Sequence, residues 1–184
     1  MQRRNDKQLQ TTQEVLVPRW LAIGSVVSLL AVAMPRTVLA QGSLAPPPQI
    51  PYGLAITTES AKLVAAAAIA EARNNRWTMA IAIVDPGGHL VYFEKMQDTQ
   101  TGSVDPAIDK ARTSALFRRP TKLFQDAVAG GGEGLRVLRL TGVTPIEGGV
   151  PIIVDGKVVG AIGVSGGSGE QDGKIARTGA SAVK

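Results

Sequence analysis

From residue 56 onward, apolar positions recur with two alternating periods, one helical and one of two residues. The stretch "ITTESAKLVAAAAIAEARNNRW" (56–77) carries the helical period: Thr57 suits an N-cap, Glu59 favours the first turn, and Asn74–Asn75 supply a stop. Leu63, Ala66, Ala67 and Ala70 fall on one face, and the small alanines predict a helix lying close to whatever it covers. "MAIAIVD" (79–85) then switches to period two, with Met79, Ile81 and Ile83 on one side and Ala80, Ala82 and Val84 on the other. "PGG" (86–88) turns the chain into "HLVYFEKM", which predicts a β-hairpin.

Two helical segments follow, "SVDPAIDKARTSALFR" and "TKLFQDAVAG". Pro120 breaks the first, and Thr121 is expected to cap the second. After a glycine-rich loop, "GGVPIIVDGKVVGAIGVSG" (148–166) predicts a second hairpin, with Asp155-Gly156 as its two-residue turn. Ala161 and Gly163 give its last strand a small face suited to a close helix. Ser168 and Gln171 stand in capping-box spacing before a final, mainly helical stretch. Helix, hairpin, helices, hairpin, helix is the order of an α+β domain: an antiparallel sheet with helices packed against it. No internal repeat of solenoid period is present.

Residues 1–40 read differently. Arg3, Arg4, Lys7 and Arg19 precede the uncharged run "WLAIGSVVSLLAVAM" (20–34), and Val38 and Ala40 occupy the small-residue positions of a signal-peptidase site. This predicts a secretory signal cut after Ala40, and a periplasmic or secreted mature protein. The apolar run of 15 residues falls short of the roughly 20 that span a bilayer, so no stable membrane span is expected after cleavage. Residues 41–55, with four prolines, read as an extended linker, with order expected from Ile56 and one domain over 56–184. The whole chain carries a net charge of +5, but the leader holds five basic and two acidic residues; the remainder, with 15 basic and 13 acidic, is only +2. No basic stripe interleaved with aromatics remains, which argues against nucleic acid as a partner. The chain has no cysteine, so its stability rests on packing alone.

Four stretches together carry a family likeness: "AIAIVDPGGHLVYFEKM", "KARTSALFRRPTKLF", "GGVPIIVDGKVVGAIGVSGGSGEQD" and the terminal alanine-rich helix. Over 56–184 the chain resembles the GlcG/HbpS family of haem-binding proteins. The resemblance implies a profilin-like α/β/α sandwich around a five-stranded antiparallel sheet, and a homo-oligomer, from a dimer to an octamer. It also implies haem b as a cofactor, with a redox or sensing role. Other members of the family stand beside glycolate and alcohol oxidation, which leaves open an enzyme acting on a small hydroxy acid, alcohol or aldehyde, and equally an oligomeric module that binds a small carboxylate metabolite.

His89 is the sole histidine, so iron ligation or acid–base chemistry by an imidazole falls to it alone. Read as a strand, residues 89–93 put His89, Val91 and Phe93 on one face, where an imidazole could hold a porphyrin against an apolar wall. The competing reading is a residue at a hairpin end, exposed and unligated. Tyr52, Tyr92 or a methionine are the other possible iron ligands. Arg118 and Arg119 offer adjacent guanidinium groups for haem propionates or a carboxylate, against a reading as a solvated helix end. The resemblance points to Thr121 as a residue near the iron, although capping also accounts for it. "GVSGGSGEQD" (163–172) presents backbone N–H groups at a helix start, suited to an anion, and Glu147 is a lone carboxylate in a glycine-rich loop.

Overall fold

The computed structural model describes residues 49–184; the expected leader and the first part of the linker, 41–48, lie outside the described residues. Helix α1 (Thr58–Asn74) begins where expected, with the Thr57 hydroxyl accepting the Ser60 N–H at 3.2 Å, and Asn75 closes it by donating to the Glu71 carbonyl. Its buried face is not the one expected. Ala61, Val64, Ala65, Ala68, Ile69 and Ala72 face inward, while Leu63 is 61% exposed. Alanine on every side makes the stripe ambiguous, and Val64 and Ile69, which bury more apolar area than any alanine, settle the rotation.

The first hairpin is β1 (Ala80–Val84) and β2 (Leu90–Lys95); the second is β3 (Gly149–Val154) and β4 (Lys157–Ser165), turned at Asp155 and Gly156, both with positive φ. All pairs are antiparallel, in the order β2-β1-β4-β3. Among the described residues the sheet therefore has four strands rather than five. The place beside β4 beyond the end of β1 is filled by a single parallel bridge, Tyr52 to Val158, with Val158 donating to the Pro51 carbonyl and Gly53 to that of Val158. Pro51 has no N–H to extend a ladder. Ordered chain thus starts ahead of Ile56.

Helices α1 and α4 (Gly169–Ala180) cover one face of the sheet, and α2 (Val104–Phe117) covers the other. The expected alternation along β1 holds: Met79, Ile81 and Ile83 join Ile152, Ile162, Val164, Val64 and Ile175 under α1 and α4. Ala80, Ala82 and Val84 meet Ala161 and the α2 residues Ala107, Ala111 and Ala115. This second core is almost entirely alanine, so α2 lies close to the strands. The Ser168–Gln171 capping box is present at the start of α4. Helix α3 (Lys122–Ala129) follows α2, and part of the expected glycine-rich loop is a 3-10 helix, Gly132–Arg139, packed against α3. Among the described residues, no helix is long and apolar enough to cross a membrane.

Candidate functional site

The turn of the first hairpin is built around the one imidazole. The Asp85 carboxylate accepts the His89 backbone N–H through Oδ1 at 2.9 Å, and its Oδ2 lies 3.2 Å from His89 Nδ1. Partial burial pushes the Asp85 carboxyl up, but the hydrogen bonds from the His89 backbone and ring, together with the Gly87 N–H, outweigh it and hold the group below its ordinary value. A Cβ on Gly87 would stand 3.0 Å from both Cε1 and Nδ1 of the ring, so the absence of a side chain there leaves room for the imidazole. Gly88, with φ of +81°, takes a conformation that L side chains avoid. It backs onto Leu116 and Arg112 of α2, and Arg112 Nε donates to its carbonyl at 3.2 Å.

The His89 side chain is 84% exposed. Neighbouring Leu90 and Leu116 are also large exposed apolar groups. The tip therefore presents an imidazole to the surface, held at Nδ1, on a turn whose Gly88 backs onto Leu116 and Arg112, the latter also 3.7 Å from the Asp109 carboxylate. An exposed imidazole held at one nitrogen can coordinate a metal centre through the other.

The expected shared face of His89, Val91 and Phe93 does not form. Val84 pairs with Leu90 and Ile83 with Tyr92, so one residue of β2 is extra and the strand bulges there. Val91 packs with the α1/α4 core, and Phe93 with the α2 core on the opposite face. Phe93 is thus part of the domain's packing, not a wall beside His89. The bulge had no glycine or proline to mark it in the sequence.

Arg118 and Arg119 are held in local structure. Arg118, in the left-handed conformation that closes α2, lies over the Tyr52 ring at 4.9 Å and donates to the Ile50 carbonyl and to Gln49. Arg119 donates to the Phe117 carbonyl and lies 5.7 Å from the Phe124 ring. The guanidinium brought to the His89 turn is Arg112, which sequence reading missed because an exposed arginine on a helix carries no signal of its own. Tyr52 donates its hydroxyl to the Ala115 and Leu116 carbonyls, and Tyr92 donates to Glu94.

Thr121 is fully buried and does not cap α3 with its side chain. Its hydroxyl instead accepts the Gly149 N–H at 2.9 Å while its own N–H donates to the Gly149 carbonyl at 3.0 Å, a two-way clamp between α3 and the start of β3. Thr121→Val keeps the shape and removes one acceptor from a buried N–H. A loss of about 1–3 kcal/mol is expected in denaturant unfolding, and a loss below the error of that measurement would refute the clamp.

The glycine-rich entry to α4 is already filled by a carboxylate of the chain itself. Asp172 Oδ1 accepts the Gly167 N–H at 2.9 Å, and Asp172 Oδ2 meets Lys110 Nζ at 2.7 Å, both side chains being almost wholly buried. Glu147 is buried too; its carboxylate accepts from Arg177 at 3.0 Å and lies where a Cβ on Gly173 would overlap it. Neither carboxylate is a free base at a surface.

The model of the family described as "Haem degrading protein HbpS-like" matches residues 56–181. Protein GlcG of Escherichia coli K12 is 39% identical over 110 residues, which is 60% of this chain and 81% of that protein. Among solved structures, the PduOC:haem complex is similar with a TM-score of 0.64 at 29% identity, covering 71% of this chain and 96% of that one. A double mutant of HbpS from Streptomyces reticuli gives a TM-score of 0.66 at 27% identity over 80% of this chain and 96% of its own. With its helical layers, its antiparallel sheet and a family match running from α1 to the end of α4, the chain belongs to the HbpS-like family.

Proposed function

We propose that this protein binds haem, with His89 Nε2 as the iron ligand and the Leu90–Leu116 surface against the porphyrin. The observation that carries this reading is the imidazole itself. It is the only one in the chain, it is exposed, and it is held at Nδ1 in a turn whose Gly87 leaves it room. The known haem complex of PduOC, a structural relative, supports the same reading. Without cysteine no thioether attachment can form, which is consistent with our reading of the group as haem b held without a covalent link. Arg112, which reaches the His89 turn while Arg118 and Arg119 are engaged elsewhere, is the cation we assign to a propionate, in exchange for its contact with Asp109.

When bound, haem would supply iron for redox or small-ligand chemistry, which suits a redox or sensing role. The chain's own residues orient the ring, offer an apolar surface and neutralise acidic substituents. One described subunit covers little of a porphyrin around so exposed a histidine, and assembly into a homo-oligomer would bring a second surface to it. The leader at 1–40 would export the protein, placing this site in the periplasm or outside the cell.

Hemin titration of the protein tests the reading. Addition should shift and sharpen the Soret band at one haem per chain or fewer, and His89→Ala should weaken binding at least about ten-fold, the scale of losing a metal-orienting contact or more. An unchanged spectrum with the wild-type protein overturns haem binding. Wild-type affinity in His89→Ala removes His89 as the ligand.

A further inference from the structure

We infer that Asp85 is a positioning residue that selects the tautomer of His89, placing the ring proton on Nδ1 and leaving Nε2 as the outward electron-pair donor. This rests on the reading of His89 as the iron ligand, and concerns what makes it competent.

Asp85 is four residues before His89, and one carboxylate serves both the backbone N–H, at 2.9 Å, and Nδ1, at 3.2 Å. An ionised carboxylate only accepts, so in the neutral ring the nitrogen facing it is the one that carries hydrogen. The other nitrogen then holds the lone pair, as iron ligation requires. The turn maintains this alignment. The Asp85 N–H donates to the His89 carbonyl at 2.9 Å, and the Gly88 N–H donates to the Asp85 carbonyl at 3.0 Å, so residues 85 and 89 are locked together by backbone as well as side chain. Gly87 contributes by having no side chain: a Cβ there would stand 3.0 Å from Cε1 and Nδ1 and 3.2 Å from Asp85 Oδ1, so ring and carboxylate would have to give by a few tenths of an ångström. "DPGGH" is thus a unit for aiming an imidazole, not merely a tight turn.

Because the chain has one histidine, nitrogen-15 labelling of histidine gives a single-site report of the tautomer in untagged protein without haem. The wild type should show hydrogen on Nδ1 in the neutral ring. In Asp85→Asn, one amide oxygen can keep the backbone N–H while the amide nitrogen turns a donor toward Nδ1. The tautomer should swing toward hydrogen on Nε2, and hemin affinity should fall by about 10- to 100-fold. Gly87→Ala keeps every charge yet nudges the ring against the carboxylate, and should lose affinity in the same direction by a smaller factor than Asp85→Asn. Bound haem in Asp85→Asn should also have a higher midpoint potential, since a negative charge that favours ferric iron has gone.

If Asp85→Asn and Gly87→Ala keep the wild-type tautomer, affinity and potential while His89→Ala loses haem, the positioning role is wrong and the ligand assignment stands. If His89→Ala retains haem, the underlying reading fails, whatever the tautomer spectrum shows.

Discussion

Lys110→Met is expected to lose about 3–5 kcal/mol of folding stability, a large share of the roughly 5–15 kcal/mol that holds a typical domain together. Lys110 lies on α2 with its ammonium almost completely buried, donating to Asp172 at 2.7 Å and to the Val164 carbonyl at 3.1 Å. Removing it leaves an ionised carboxylate in the interior without its counter-charge. For Asp172, burial is the strongest influence and pushes the carboxyl above its ordinary value, against the pull of Lys110 and the Gly167 and Gly166 N–H groups. Desolvation thus outweighs pairing at this carboxyl, and removing both charges should be milder than removing one.

In Lys110→Met with Asp172→Asn, methionine keeps most of the lysine stem and the Asn oxygen can still accept from Gly167. The double variant should be less destabilised than the sum of the two single ones, with a coupling on the order of 1–3 kcal/mol in a double-mutant cycle. Denaturant midpoints of the four proteins are sufficient to measure it. Strict additivity would show that the two side chains do not act as a pair, and a loss under about 1 kcal/mol for Lys110→Met would sink the argument for a buried charge.

Gly163→Val is the second large effect, and it works by overfilling. A Cβ at Gly163 would overlap the Ala107 carbonyl oxygen and stand 2.5 Å from the Ala111 nitrogen and 2.9 Å from the Ala111 Cβ. Two of these three neighbours are α2 backbone, which cannot swing aside as a flexible side chain can. The whole helix must lift from β4, separating Ala161 from Ala107 and Ala111 and disturbing the buried Lys110 on the same helix. Overpacking usually costs about 1–3 kcal/mol, and valine here should reach or exceed the top of that range. Gly102→Ala is the control: nothing lies within 4 Å of the added carbon, and its effect should stay within about 0.5 kcal/mol of zero. Comparable unfolding midpoints for the two variants would contradict close packing of α2.

The two predictions concern the α2 side of the sheet, which was only partly legible. Ala161 and Gly163 do face a close helix, as their size implied, and the alternation along β1 sorts correctly between the two cores. Period-two alternation survives because β1 is buried on both sides and pleated without interruption. On α1 the same kind of reading chose the wrong face, since alanine does not distinguish one side of a helix from another. Lys110 could not be recognised at all. In sequence it is one more charged residue on a helix, and its partner is 62 positions away on another element.

The candidate site divides in the same manner. That any imidazole chemistry must fall to His89 follows from counting, and the turn before it follows from "PGG". Composition and local pattern likewise determined the two hairpins, the α4 capping box and the absence of a cysteine framework, because each depends on residues near one another along the chain. Tertiary structure decided what surrounds the imidazole. It put Arg112 and Leu116 behind Gly88, sent Phe93 to the opposite face through a one-residue bulge, and engaged Arg118 with Tyr52 and the segment before it. It also turned Thr121 from a cap into a clamp on Gly149. These are contacts between distant segments, and a side chain's polarity states that it needs a partner without saying which one the fold will supply.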